Sequence, residues 1–263
     1  MFTFPTTYFS TSSGIDLSDT ECIFSLRKMN PSYNGFCIKL RRDSDNATQD
    51  IGFVSDEVDS LAITTFLGGS TGYCDTYYDQ SGNNNNATQT VLSKQPRYSF
   101  SFSNGKAGLV FTNGNQSHLV LATAKVLSEM TVVAAIRYFV GASNTQILAT
   151  SSGSGSQFRM KGGTTTVELI SGVSAVSSTG IGSNVSAVVH AEKNSTTQKV
   201  GHNNVSGSSV ASTTLFTAGL IGSLIGSNGF NGFISELYIY NKDKSTTSSR
   251  EDLVINIMDY FAI

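Results

Sequence analysis

The chain has 263 residues, 17 basic and 19 acidic side chains, and a formal charge of −2. Only 14% of its residues are charged, against about 25% in an average globular protein, so Ser, Thr, Asn and Gly must form much of the surface. That balance excludes a nucleic-acid partner held by phosphate neutralisation.

The first segment, MFTFPTTYFSTSSG, contains no Lys or Arg and no long apolar core, so it does not read as a secretory signal. Residues 1–16 read as an aromatic arm, with Phe2, Phe4, Tyr8 and Phe9 docking on a partner, and residues 17–263 as one domain. Two apolar strand patterns, CIFSLRKM and FCIKLRR, follow on either side of a turn-rich NPSYNG. RRDSDNATQDIGF predicts a hairpin with a polar tip. SDEVDSLAITTFLGG changes period: Val58, Leu61, Ala62 and Phe66 share a helical face, which predicts a short helix near residues 55–67 capped by Ser55 and stopped by Gly68.

GYCDTYYDQSGNNNNATQ comes next, a strand that runs into a polar loop. KAGLVF and HLVLA flank TNGNQS, an Asn-Gly hairpin signal. MTVVAAIRYFV has the pattern of a central strand buried on both faces. From residue 145 to 240 short apolar runs alternate with Gly, Ser and Asn, the mark of a β-sandwich. The end of the chain predicts a helix near residues 247–261, with Ser248 and Glu251 as a capping box and an apolar face of Leu253, Val254, Ile257, Met258 and Phe261. Cys22, Cys37 and Cys74 are odd in number and lack CxxC spacing, so buried free thiols and folding in a reducing cytoplasm are expected. No apolar run reaches the roughly 18 residues of a membrane span, so no membrane insertion is expected.

SLRKMNPSYNGFCIKLRRDSDNATQDIGF, then TYYDQSGNNNNATQ, NGKAGLVFTNGNQSHLVL and the ending FISELYIYNKDKSTTSSREDLVINIMDYFAI, resemble concanavalin A-like and laminin-G-like domains. They are similar to the catalytic domain of the arabinofuranosidase B enzymes and to related domains of bacteriophage structural proteins. The resemblance implies an all-β, two-sheet jelly-roll sandwich. It also raises the question of catalysis, because a glycosidase normally sets two carboxyl groups against the scissile bond. Between Asp79 and Asp243 there is no Asp, and the only Glu residues are Glu129, Glu168, Glu192 and Glu236. Where the resemblance implies a nucleophilic Glu, VVAAIRYFV offers Ala134 or Ala135. Where it implies an acidic Asp, IGSNGFNG offers Ser227 or Asn228. Neither can do the chemistry.

The loop after Tyr78 has two readings. As a ligand site, Tyr77, Tyr78, Asp79, Asn83 and Asn85 would contact a sugar edge. A single carboxylate is meagre for calcium, so no metal or other cofactor is expected. As a structural turn, Asp79 would accept from the backbone of Ser81 and Gly82, with Gly82 taking positive φ. The expectation is therefore a non-catalytic virion or surface module, a phage head decoration, fibre or tail protein assembled in the host cytoplasm. Its partners would be other virion proteins, copies of itself, or a host surface glycan. A glycoside hydrolase or carbohydrate-binding protein of the arabinofuranosidase B type is the alternative.

Overall fold

In the computed structural model, residues 14–141, 143–150, 155–176, 180–224 and 229–263 are described. The aromatic arm residues Phe2, Phe4, Tyr8 and Phe9, like Ser227 and Asn228, lie outside them.

The strands follow the period-two patterns of the sequence. The first part of the chain forms β1 (Thr20–Ser25), β2 (Ile38–Arg42), β3 (Thr48–Ile51), a small hairpin of β4 (Phe53–Val54) and β5 (Glu57–Val58), α1 (Ser60–Leu67), β6 (Gly72–Tyr77) and β7 (Ala87–Thr88). The middle forms β8 (Arg97–Ser103), β9 (Lys106–Phe111), β10 (Leu119–Leu127), β11 (Met130–Tyr138), β12 (Thr145–Ala149), β13 (Gln157–Met160), β14 (Val167–Ser171) and β15 (Val173–Val176). The last part forms β16 (Ser186–Lys193), β17 (Thr197–His202), the short β18 (Val205–Ser206) and β19 (Val210–Ala211), β20 (Phe216–Ile221), β21 (Gly232–Tyr240) and α2 (Ser248–Phe261).

Every long ladder is antiparallel, and one continuous sheet curls into two layers. In the first layer β11 lies between β16 and β21; β21 also pairs with β1 and β9, and β17 extends the layer beyond β16. In the second, β3, β2, β6, β7, β10, β20, β12, β13, β14 and β15 follow one another. The main core fills the space between the layers, with Phe24, Ile38, Leu148, Phe158, Leu169, Val189 and Phe216 among its members. A second core lies on the outer face of the first layer, where Ile23, Val133, Val188 and Tyr238 meet Leu253, Val254, Ile257 and Phe261 of α2. This is the all-β sandwich expected, with β11 buried along nearly its whole length.

Local details differ from the sequence reading. Asp59, not Ser55, caps α1: its carboxylate accepts from the Ala62 amide at 2.9 Å, while Gly68 closes the helix at φ 55°. Ser55 and Asp56 instead sit at φ 49° and 66° in the β4–β5 turn, the left-handed pair that a tight hairpin demands. Leu61 is exposed and Ile63 is the buried residue of α1. The Asn-Gly pair that makes a hairpin is Asn104-Gly105, at φ 47° and 70° between β8 and β9. The strands around TNGNQS do not pair, because β9 is claimed by β21 and β10 by β20. At α2, Thr247 is the cap residue and makes no side-chain cap bond; its hydroxyl donates back to the Lys244 carbonyl.

Candidate functional site

The loop after β6 is a clamp. Asp79 is buried, and its Oδ1 accepts from the amides of Ile23 and Ser81, both at 2.9 Å. Its Oδ2 accepts from the Ser81 hydroxyl at 2.8 Å and the Asn85 amide at 3.0 Å. Asn85 donates to the Thr123 carbonyl and accepts from the Thr123 amide, so the loop ties β1 to β10. Asn83 donates to the carbonyls of Thr20 and Glu21, and Gly82 takes φ 95°. Tyr77 is buried and donates to the Ser235 carbonyl; Tyr78 is half-buried and donates to Asp50. Among the described residues no group of three or more His, Cys, Asp or Glu side chains is arranged to hold a metal ion.

The buried carboxylates elsewhere differ in how fully they are occupied. Glu236 lies in a cleft with Glu57, Lys106 and Tyr260, but Ser25 and Arg27 donate to its Oε1, and Arg27 and Tyr238 to its Oε2. Both oxygens are saturated. Glu129 sits at the surface beside Lys242. Glu192 is enclosed on the outer face of the first layer, under α2.

Glu168 stands on the outer face of the second layer. Strand alternation puts Val167 and Leu169 into the main core and Glu168 on the opposite side. Antiparallel pairing then builds a polar row, since directly opposed residues share a face: Gln146 opposes Arg159, and Arg159 opposes Glu168. A second row on the same face holds Gln157, Ile170 and Ser174. Arg159 donates to Glu168 Oε2 at 2.7 Å and to Gln157 Oε1 at 2.6 Å, and the Ser174 hydroxyl donates to Glu168 Oε1. Glu168 is 5% exposed and therefore held in one orientation.

Gln146 completes the arrangement. It is fully buried, yet neither its Oε1 nor its Nε2 has a hydrogen-bond partner among the described residues. A buried amide with nothing to bond costs free energy, and this one lies on the face of Glu168, one strand away across Arg159. A groove of about 360 Å³ meets this face at Ile170 and is otherwise lined by residues such as Ser156, Thr214, Leu215 and Thr217, while Glu168, Arg159 and Gln146 do not line it. Among the described residues of β12–β15 no second carboxylate shares the face. The sequence reading counted Glu168 but missed Gln146, Gln157 and Arg159. The alternation of polar and apolar residues in QFRM and in VEL was the signal that could have found Gln157 and Arg159, while TQILA does not alternate and gave none for Gln146.

Residues 18–168 match the family model described as "Alpha-L-arabinofuranosidase B, catalytic". No curated protein matches the chain. Among solved structures, a GH54 α-L-arabinofuranosidase soaked with a cyclic sulfate inhibitor superposes with a TM-score of 0.71 at 17% identity, over 92% of this chain and 63% of that one. An arabinofuranosidase complexed with arabinofuranosyl-α-1,2-xylobiose gives 0.67 at 19% identity, over 90% and 63%. At these identities the likeness is one of fold, and the chain spans 63% of the length of these relatives. The family match overturns the expectation of a non-catalytic virion or surface module, and with it the inference from Ala134 and Ala135 that catalysis is absent. Those alanines lie within β11, and neither carries an acidic group, but the matched segment holds its own buried carboxylate at Glu168. A relation to phage structural proteins is not shown; the chain belongs to the family of α-L-arabinofuranosidase B catalytic domains.

Proposed function

We propose that the chain is a glycoside hydrolase acting on arabinofuranosyl groups, with the polar face of β12–β15 as its active site. One observation carries this reading: within the family-matched segment the buried carboxylates are Asp79 and Glu168, and Asp79 is consumed by the loop it holds together. Glu168 is left, oriented by Arg159 and Ser174, with the unpartnered Gln146 amide on the same face beyond Arg159.

In this role Glu168 attacks the anomeric carbon or activates the water that does so. Arg159 and Ser174 fix the carboxylate, and Gln146 takes sugar hydroxyls, which both donate and accept. With one carboxylate on the face, protonation of the leaving oxygen falls to water. Turnover then depends steeply on the acidity of the leaving group. 4-Nitrophenyl arabinofuranoside is cleaved, and an alkyl arabinofuranoside far more slowly.

The test is nitrophenol release by the wild type, Glu168→Gln and Gln146→Ala, with melting curves for each. Glu168→Gln is expected to lose about 10²–10⁴-fold in rate, and Gln146→Ala to raise KM. A wild type that releases no nitrophenol, or a folded Glu168→Gln that releases it at the wild-type rate, overturns the assignment.

A further inference from the structure

The opposite side of the sandwich carries a second polar cluster with unpartnered buried atoms. On the outer face of the first layer, His190 Nδ1 lies 2.8 Å from Glu192 Oε1, and Arg250 of α2 approaches the same oxygen at 3.2 Å. His190 is fully buried, Glu192 is 1% exposed and Arg250 is 5% exposed. Several atoms of this cluster have no hydrogen-bond partner among the described residues: Glu192 Oε2, His190 Nε2 and Arg250 Nη1. The crowding is deliberate on one side, since a Cβ on the facing Gly201 would come within 2.5 Å of the His190 ring.

Glu192 also lines a cleft of about 240 Å³ at the approach to α2. The other walls include Asp243, Asn194, Thr197, Lys199 and Ser245. Asp243 is half-buried and positioned by the Ser245 amide at 2.9 Å and by Asn194 Nδ2 at 3.2 Å. Donors (Lys199, Thr197, Ser245) thus face acceptors (Glu192, Asp243) across one small space. Two nearby cations, Arg250 and Lys199, oppose a metal ion here. A neutral polyol fits instead, because each of its hydroxyls donates and accepts at once. The volume exceeds that of a few waters, at about 30 Å³ apiece in the liquid.

We infer that the Glu192–Asp243 cleft is a second sugar-binding site, on the far side of the sandwich from Glu168, which takes a single neutral sugar unit by a hydroxyl donated to Glu192 Oε2. It lies outside the family-matched residues 18–168, and it stands or falls by binding, independently of whether Glu168 turns over substrate.

The experiment is amide-resolved NMR titration of the whole chain with L-arabinose and with xylobiose, using glycerol as the control. Saturable shifts are expected at Thr197, Lys199 and Ser245, apart from any at Ile170 and Ser174. Asp243→Asn is expected to weaken the first set at least tenfold, and Glu168→Gln to leave it unchanged. Glu192→Gln is the more direct variant; Asp243→Asn, at the rim, stands in for it should the buried change unfold the chain. The inference is overturned if neither sugar moves those amides, if glycerol moves them with equal affinity, or if Asp243→Asn binds as the wild type does.

Discussion

Asp79 shows how much a single side chain can organise. Four donors from two stretches of chain converge on its two oxygens in a buried site. Removing the carboxylate leaves the amides of Ile23 and Asn85 without partners, at about 1–3 kcal/mol for each buried group. Asp79→Ala is therefore expected to lower stability by several kcal/mol in a urea unfolding curve. A midpoint equal to that of the wild type would show that the loop is held by other contacts. The Asp79–Ser81 contact was legible in the sequence because Asx-type turns are local, but the amide expected from Gly82 is replaced by that of Asn85, which the loop folds back onto Asp79. The connection from Asp79 to Ile23 was not legible, because nothing in DQSGN says which strand will lie alongside.

Elements were legible where one period ran long enough. β11 and α2 were both anticipated, because nine consecutive strand residues and a 14-residue amphipathic helix leave little ambiguity. Helix starts and hairpin partners were not. Asp59 outcompeted Ser55 because the β4–β5 turn had already taken residues 55 and 56. The Asn-Gly pair at 113–114 lost its hairpin because its flanking strands found better partners across the sheet. α2 is the element whose packing is most testable. Leu253, Val254 and Ile257 are fully buried against Val133 and Tyr238 of the outer face. Leu253→Ala should cost about 2–5 kcal/mol and, by loosening the segment that carries Arg250, should raise amide exchange in β16 around His190. Unchanged exchange there would mean that α2 does not brace the Glu192 cluster.

For the molecule as a whole, acid is the revealing perturbant. The carboxyl of Asp16 is held well below its ordinary 3.8, chiefly by the Ser18 hydroxyl and then by Lys244, despite partial burial. Glu21 is lowered by Lys125, and Asp45 is brought to about 2 by Arg42. Burial also lowers His118 from 6.5. All these groups favour the deprotonated form in the folded state, so the unfolded chain binds more protons in acid. Their stabilisation is present in full above the unfolded values and drains away as pH falls, first below about 6.5 for His118 and then below about 4.5 for the carboxyls. The urea midpoint is expected to decline across that span, and added salt to shrink the carboxyl part. A midpoint that holds steady from about pH 7 to 3 would contradict this. The polar face of β12–β15 was only partly legible at this scale. Glu168 could be counted in the sequence, but its pairing with Gln146 through Arg159 exists only once three strands have found their register.

The pairing of β1 with β21 sets a condition on synthesis. Ser25 and the Glu236 that its hydroxyl contacts are 211 positions apart, and β21 is also the neighbour of β9 and β11. During translation β1 emerges well before β21, with an open edge and an apolar face until its partner is made. Non-local pairing of this kind is slow and exposes nascent chains to association. A ribosome stalled before β21 should thus display a protease-sensitive intermediate with affinity for chaperones, and emergence of β21 should close the sandwich in one step.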